Sequence, residues 1–159
     1  MPRANISMTD DEVVDFLTGG SKVLQLATLG QDGSPHQAPM WFTMDESKIV
    51  FRSFTKSQKI VNLIRDPRLS ILVESGETYG ELRGVMIQGT ATVVSDPGYV
   101  LWVYGQLAAR YPMIGDEPIE MDSDTVAAAF GAFAPKNTAI IVEPIRTTSW
   151  DHRKLGGTY

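Results

Sequence analysis

Apolar positions near the start of the chain follow a helical period. Thr9 and Glu12 have the spacing of a capping box. Val13, Phe16 and Leu17 then fall on one side of a helix, and a pair of glycines follows them. The pattern therefore predicts a short amphipathic helix that begins near Thr9 and ends at the glycines.

The next segments change to the two-residue period of strands. Residues 22–29, 36–44 and 48–53 are rich in alternating apolar positions, and turn-forming residues separate them. Pro39 lies inside the second segment, which predicts an edge position or a bulge there. We predict that residues 22–53 form a three-stranded antiparallel meander.

The rest of the chain returns to a helical period several times. We predict helices over residues 57–65 and 123–133, a helix opened by Asp96-Pro97 and closed by Pro112, and strands over residues 69–74, 83–95 and 138–150. Gly89, in the middle of a long strand, indicates a bulge or a close approach of another group. Six strands in antiparallel succession predict a mainly β (α+β) fold, a closed or half-closed barrel with peripheral helices.

Composition narrows the class of protein. The chain has 159 residues, which predicts one domain over residues 1–159, and a formal net charge of −5, which argues against nucleic-acid binding. It contains no cysteine, so disulfides, thiolate metal sites and cysteine nucleophiles are excluded. The start of the chain is too polar for a signal peptide, and no apolar run approaches membrane-spanning length. We expect a cytoplasmic protein.

The segment from Arg52 to Lys59 carries the most suggestive chemistry. Three cations, Arg52, Lys56 and Lys59, fall within eight residues of an acidic chain, with hydroxyl side chains between them. The predicted helix 57–65 starts at once and adds unpaired backbone N–H groups. This combination predicts a phosphate site. The alternative is a solvated loop in which Ser57 caps the helix.

Other catalytic signatures are absent from the sequence. It has no G-x-G-x-x-G, Walker or G-x-S-x-G motif, and His36 and His152 have no metal-ligand spacing. The acidic stretch 116–124 lacks the EF-hand pattern. Trp41 and Trp150 are candidates for stacking on an aromatic cofactor, with packing in the core or in a dimer interface as the alternative.

Three stretches resemble a known superfamily: DGSPHQAPMWF (32–42), IVFRSFTKSQKIVNLIRDPRLSILVE (49–74) and RGVMIQGTATVV (83–94). They resemble the pyridoxamine-phosphate-oxidase-like FMN-binding split barrels, and most of all the branch of flavin/deazaflavin-dependent oxidoreductases. The most specific part is N-L-x-R-D-P-R, which starts at Asn62. The resemblance implies a six-stranded antiparallel split barrel that forms a homodimer, with cofactor sites in the dimer interface.

The resemblance also implies roles for individual residues. Arg52, Ser53, Ser57 and Lys59 would bind the cofactor phosphate or ribityl region, with Lys56 and Asn62 as further cofactor-binding candidates in the same segment. The backbone around Met40, Trp41 and Phe42 would line the tricyclic ring. Gln88 and Trp150 would reach the site of the partner subunit. No catalytic residue is assigned, and the proton would come from solvent, Tyr79 or His152.

Departures from the family pattern bear on the cofactor. Authentic pyridoxamine phosphate oxidases carry an arginine and a lysine where this chain has Gln37 or Ala38 and Thr43. Their phosphate-binding Ser-Arg-Lys is Ser57-Gln58-Lys59 here, and their arginine-rich C-terminal signature is missing. Oxidation of vitamin B6 is therefore not expected. The resemblance favours coenzyme F-420, a deazaflavin whose anionic tail Lys56, Arg65 and Arg68 would neutralise, with FMN as the alternative.

The functional hypothesis is an F-420-dependent oxidoreductase that transfers hydride to a small electron-poor organic substrate. Three alternatives stay open: an FMN-dependent oxidoreductase of the same fold, a non-catalytic flavin or deazaflavin carrier, and a structural dimer with an empty pocket.

Overall fold

The computed structural model describes residues 5–156. Within that range the chain forms seven strands: β1 (Leu24–Leu29), β2 (Pro35–Met40), β3 (Thr43–Asp45), β4 (Lys48–Phe54), β5 (Arg68–Ser75), β6 (Arg83–Val94) and β7 (Asn137–Asp151). The same part of the chain holds four α-helices: α1 (Asp10–Thr18), α2 (Gln58–Arg65), α3 (Pro97–Arg110) and α4 (Ser123–Phe130). Single 3₁₀ turns lie at Tyr79–Glu81, Ala134–Lys136 and His152–Leu155.

Local capping explains where the helices begin. At α1 the Thr9 hydroxyl accepts from the Glu12 amide, and the Glu12 carboxylate accepts from the Thr9 amide, which is the predicted capping box. At α3 the Asp96 carboxylate accepts from the Tyr99 amide at 2.8 Å, and Pro97 occupies the first turn. None of the helices in residues 5–156 is both long enough and apolar enough to span a membrane.

All the described strands belong to one antiparallel sheet in the order β2-β1-β5-β6-β7-β4-β3. The predicted mainly β antiparallel fold is confirmed, with seven strands in place of six. The predicted strand 36–44 breaks at Trp41 and Phe42 into β2 and β3. Both antiparallel pairings of the predicted meander are present, β1 with β2 and β3 with β4, but its middle strand is divided between the two edges of the sheet. The other side of β4 pairs with β7.

The break at Trp41 and Phe42 closes the sheet. Only these two residues connect the edge strands β2 and β3, so the two edges come within about 11 Å of each other at this point. A sheet whose opposite edges meet at one corner must curl, which gives the half-barrel observed here. Phe42 is fully buried in the core at this corner.

Two apolar clusters lie on the two faces of the curled sheet. The inner cluster includes Leu24, Phe51 and Ile140, while the outer one joins α3 and α4 to Val50 and Ala139. Val50 and Phe51 are neighbours in β4, so successive side chains of this strand face opposite clusters. The same alternation continues along β4 into Arg52 and Ser53.

The structure at Gly89 and at Pro39 agrees with the predictions made from the sequence. At Gly89 the pairing of β6 with β7 shifts register, and a Cβ added there would lie 2.1 Å from the Glu143 carbonyl oxygen. Both the bulge and the close approach predicted at Gly89 are therefore confirmed. Pro39 lies in β2, an edge strand, as predicted.

Candidate functional site

A cleft of about 370 Å³ lies between the β2–β3 corner, the end of β4 and helix α3. Its lining residues are Val23, Pro39, Met40, Trp41, Arg52, Ser53, Phe54 and Leu107. The volume falls in the range of small-molecule sites. The structure thus brings Met40 and Trp41 to the same cavity as Arg52 and Ser53, although they are separated in sequence.

The cleft follows strand edges that the sheet leaves open. β3 pairs with β4 only as far as Val50, so residues 51–54 pair with β7 on one side alone. Across the cleft, β2 is itself an edge strand. Backbone polar groups on an unpaired edge are available to a ligand. The walls of the cleft therefore combine apolar side chains with open backbone donors and acceptors.

The Trp41 ring is held in place by a buried tyrosine. Its ring stacks on that of Tyr111, with centroids 4.8 Å apart and planes 7° from parallel. The Tyr111 hydroxyl donates to the Lys22 carbonyl at 2.6 Å and accepts from the Phe42 amide at 3.4 Å. Trp41 keeps 38% of its surface exposed. The indole is thus an aromatic wall of the cleft whose position is fixed by buried neighbours.

Arg110 fastens the same corner. Its guanidinium donates to the carbonyls of Leu17, Gly20 and Phe42 at distances of 2.7–3.2 Å. It also lies 4.3 Å from the centroid of the Phe42 ring. Burial lowers the pKa of Arg110. The Phe42 side chain is therefore part of the core, so only its backbone is placed to line a ligand.

Arg52 is a half-buried cation with neutral partners. Its guanidinium lies 4.0 Å from the centroid of the Tyr104 ring, and Nη1 donates to Asn137 Oδ1 at 3.1 Å. Nε is buried and has no hydrogen-bond partner among residues 5–156. In that part of the chain no carboxylate forms an ion pair with Arg52. Burial accordingly lowers its pKa.

A cluster of polar side chains lies where β4 leads into α2. Ser53 Oγ and Ser57 Oγ are 3.1 Å apart, and Lys59 Nζ donates to Ser53 Oγ at 3.3 Å. Ser57 occupies the N-cap position of α2, yet its side chain makes no capping hydrogen bond. Two hydroxyls, one ammonium and an uncapped helix start therefore converge, an arrangement suited to an anion.

The four residues expected to hold the phosphate lie in two groups. Arg52 and Ser53 are consecutive in β4, and their side chains leave the strand on opposite faces. Arg52 extends toward Tyr104 on α3, whereas Ser53 extends toward Ser57 and Lys59. Lys56, in the turn between β4 and α2, is exposed and has no side-chain partner within residues 5–156.

Asn62 is fully buried, and its amide is engaged within the protein. Nδ2 donates to Thr28 Oγ1 at 3.0 Å, and Oδ1 accepts from Gln58 Nε2 at 2.8 Å and from Arg65. These contacts join α2 to β1. Asn62 therefore lies on the buried face of α2, the helix that also carries Lys59, and ties that helix to β1.

Gln88 and Trp150 lie apart from the cleft of their own chain. Gln88 is exposed on β6, opposite Arg146 of β7. Trp150 is near the end of β7 against Gly84, where an added Cβ would lie 2.2 Å from the indole Cζ2. Contact of either residue with a cofactor would therefore need a second subunit, as the resemblance implies.

The proton-donor candidates form a pair of their own outside the cleft lining. Tyr79 and His152 have ring centroids 4.5 Å apart, and His152 Nδ1 lies 2.8 Å from the Tyr79 carbonyl oxygen. In residues 5–156 no three histidine or carboxylate side chains come together as metal ligands would. Among the described residues, the cleft therefore has groups that can bind a ligand, but neither proton-donor candidate is positioned in it.

Sequence reasoning missed Tyr104, Leu107, Tyr111 and Asn137 as residues of the site. Tyr104 and Leu107 are buried residues of α3, and Tyr111 is the buried residue that caps its C-terminus. The helical period of apolar residues cannot distinguish a tyrosine that only fills the core from one that packs against an arginine or a tryptophan of the site. Asn137 had no signal in the sequence, because its contact with Arg52 spans 85 positions.

A protein-family model matches most of the chain. The model of the family described as pyridoxamine 5'-phosphate oxidase matches residues 9–140. That range includes the cleft, α2 and the start of β7.

Individual proteins agree with the family match. A crystal structure of the conserved hypothetical protein Rv2991 from Mycobacterium tuberculosis superposes with a TM-score of 0.85 at 37% identity, covering 100% of this chain and 94% of that one. A structure named F420 Reductase has a TM-score of 0.63 at 25% identity over 84% of this chain and 94% of its own.

A curated relative from Streptomyces rimosus is named 5a,11a-dehydrotetracycline/5a,11a-dehydrooxytetracycline reductase. It is 31% identical over 80 residues, which are 46% of this chain. The chain spans only 56% of the length of that relative.

Proposed function

Because the chain belongs to the pyridoxamine 5'-phosphate oxidase family, we propose that it is an oxidoreductase that uses coenzyme F-420 to reduce a small electron-poor organic substrate. The observation that carries the proposal is a cleft of about 370 Å³ directly beside the uncapped start of α2. An aromatic and apolar cavity next to an anion site suits a planar ring that bears a phosphate. Similarity to an F420 reductase and to a dehydrotetracycline reductase supports the same reaction class.

The residues present fit such a group. Arg52 keeps a buried Nε without a partner, and the Ser57 hydroxyl is not used to cap its own helix. We assign Ser53, Ser57 and Lys59 to the phosphate. Met40 and Trp41 are assigned to the ring, together with the open backbone edge of residues 51–54. When bound, the deazaflavin supplies the carbon that donates hydride.

The contribution of the chain itself is binding and orientation. Trp41, fixed by Tyr111, offers a flat wall that restricts a ring to one plane. The apolar side chains of Leu107 and Phe54 exclude water from the same space. We further propose that two copies of the chain form a homodimer in the cytoplasm and that Gln88 and Trp150 complete the site of the partner.

The surroundings of α2 also favour FMN as a second candidate. Arg65 donates to the Leu29 carbonyl, and Arg68 pairs with Asp66 at 2.7 Å, which lowers the pKa of that carboxyl to about 2. Both arginines are therefore occupied, and Lys56 is left as the exposed cation for a long anionic tail. A cofactor with a single phosphate needs only Ser53, Ser57 and Lys59.

Titration of the purified protein with F-420 and with FMN, followed by tryptophan fluorescence, tests the proposal. We expect micromolar binding of F-420, and we expect Lys59→Ala to weaken it by roughly tenfold, as loss of one charge-assisted contact would. Lys48→Ala is the matched control, since Lys48 pairs with Glu143 on the surface. Tight FMN binding would move the protein to the flavin branch, and binding of neither would reject the proposal.

Turnover separates an enzyme from a carrier. We expect reduced F-420 to be reoxidised when a quinone or enone acceptor is added to the protein. Tight binding without reoxidation by any acceptor would instead assign the chain as a non-catalytic cofactor carrier. Light scattering of the eluting protein tests the homodimer, and Trp150→Ala should weaken cofactor binding if the partner's ring reaches the site.

A further inference from the structure

The Arg52 side chain and the cluster of Ser53, Ser57 and Lys59 lie on opposite sides of β4. Arg52 lies on the α3 face of β4, whereas Ser53, Ser57 and Lys59 meet on the other side. Both faces border the open edge of residues 51–54. A ligand at that edge can therefore meet two distinct cationic points, one on each side of the strand.

The partners of Arg52 orient it without neutralising it. The Tyr104 ring faces the guanidinium at 4.0 Å, and the neutral Asn137 carboxamide accepts from Nη1 at 3.1 Å. A buried cation normally has a carboxylate partner, because an unpaired charge is costly to desolvate. Among residues 5–156 no aspartate or glutamate pairs with Arg52. Its positive charge is therefore left for something that enters the cleft.

Both partners are themselves fixed. Tyr104 stacks on Phe130 of α4, with centroids 4.5 Å apart and planes 17° from parallel. Asn137 is buried, and its Nδ2 donates to the Phe133 carbonyl at 3.0 Å. The carboxamide thereby has its oxygen turned to Arg52. Residues from α3, α4 and the start of β7 thus set the direction of one guanidinium.

We propose that Tyr104 and Asn137 are positioning residues that hold Arg52 at the wall of the cleft, where it recognises an electron-rich edge of the bound planar ring and not the phosphate. This inference rests on the proposed function. The pyrimidinedione edge of a flavin or deazaflavin carries carbonyl oxygens and a nitrogen that accept hydrogen bonds from a guanidinium. Lys59 and the two serines would then recognise the phosphate alone.

The test compares F-420 with the same deazaflavin that carries its ribityl chain but no phosphate. We expect Tyr104→Leu to weaken both ligands by a similar factor of roughly tenfold, within the range of a partly desolvated cation–π contact. Tyr104→Phe keeps the ring face and should bind both ligands as the wild type does. Lys59→Ala should weaken F-420 and leave the phosphate-free ligand unchanged. Tyr99→Leu, on the same helix, controls for general damage to α3.

Two results would overturn the inference while leaving the proposed function intact. Either Tyr104→Leu weakens F-420 but not the phosphate-free ligand, in which case Arg52 recognises the phosphate, or it weakens neither. Failure of the wild type to bind any flavin or deazaflavin would instead reject the proposed function, and this inference with it.

A ligand-free measurement tests the positioning directly. The Nε–H of Arg52 is buried, so its NMR signal should exchange slowly with water in the wild type. The signal is identified as the one missing from Arg52→Lys. We expect it to persist in Tyr104→Phe and to broaden or exchange rapidly in Tyr104→Leu and Asn137→Ala. An unchanged signal in both of the latter variants would show that Arg52 needs neither residue.

Discussion

Trp41 and Tyr111 form a parallel stack in which the exposed ring borders the cleft and the buried ring is tied to the backbone. Trp41 belongs to the corner that joins the sheet edges, and Tyr111 directly follows α3. The hydroxyl of Tyr111 reaches Lys22 and Phe42, so one side chain supports both the corner and the wall of the cavity. The stability of the corner and the shape of the cleft are therefore linked.

Removing the Tyr111 hydroxyl should destabilise the protein without removing the stack. Tyr111→Phe leaves the partly buried Lys22 carbonyl without its donor, which should lower the free energy of unfolding by about 1 kcal/mol in urea titrations. Tyr104→Phe is the control, since no hydrogen bond of the Tyr104 hydroxyl is seen within residues 5–156, and it should change stability by less than about 0.5 kcal/mol. Equal effects of the two substitutions would contradict this role of Tyr111.

Ser57 should matter for binding and not for stability. Its hydroxyl makes no capping bond, so Ser57→Ala should change the free energy of unfolding by less than about 0.5 kcal/mol. Asp96→Ala removes a real cap from α3 and should cost about 1 kcal/mol. Chemical denaturation measures both variants. A loss at Ser57→Ala as large as that at Asp96→Ala would mean that the hydroxyl has a structural role.

Gly89 should tolerate no side chain. Gly89→Ala places a Cβ at 2.1 Å from a carbonyl oxygen of β7, and backbone atoms cannot rotate away. We expect a loss of about 2–3 kcal/mol, within the range of overpacked cores, visible as a lower melting temperature. Gly80→Ala is matched, because nothing lies within 4 Å of a Cβ there, and it should leave the melting temperature unchanged or slightly higher.

Asp151 should make stability depend on pH in the acid range. Hydrogen bonds from Arg153 hold the pKa of this buried carboxyl below its usual value. The ionised form thus stabilises the folded state above the unfolded pKa of about 4, and this stabilisation is lost as pH falls through the lower folded pKa. Asp151→Asn should cost about 1 kcal/mol near pH 7, because the Arg153 side chain is 58% exposed.

The measurement for Asp151 is the difference in unfolding free energy between wild type and Asp151→Asn. That difference should shrink when the titration is repeated near pH 2.5. A difference that stays the same at both pH values would show that ionisation of Asp151 contributes nothing.

Most of the secondary structure could be predicted, because it follows from local signals. The cap at Thr9, the cap at Asp96 and the bulge at Gly89 each depend on a few neighbouring residues. The break at Trp41 and Phe42 could not be predicted. Met40, Phe42 and Met44 keep one parity across it, so the alternation reads as a single strand.

The pairing partners of the strands depend on long-range contacts. The surroundings of Arg52 depend on such contacts as well. The cluster of Ser53, Ser57 and Lys59 lies within seven residues, so the sequence already indicated an anion site there. The role of Tyr104 beside Arg52 depends on how α3 crosses the sheet. Likewise, the pairing of β4 with β7 decides which residues face the cleft, and no periodicity encodes that choice.

The late position of β7 in the chain has a consequence for synthesis on the ribosome. Strands β1, β2, β5 and β6 pair consecutively in the sheet and are complete at Val94, whereas β4 must wait for residues 137–151 to gain its second neighbour. Until those residues emerge, the end of β4 is unpaired on both sides, and Arg52 lacks Asn137. A nascent or truncated chain that ends before β7 would therefore hold a partial sheet in which residues 51–54, one wall of the cleft, have no strand to pair with. Closure of such distant contacts is intrinsically slow.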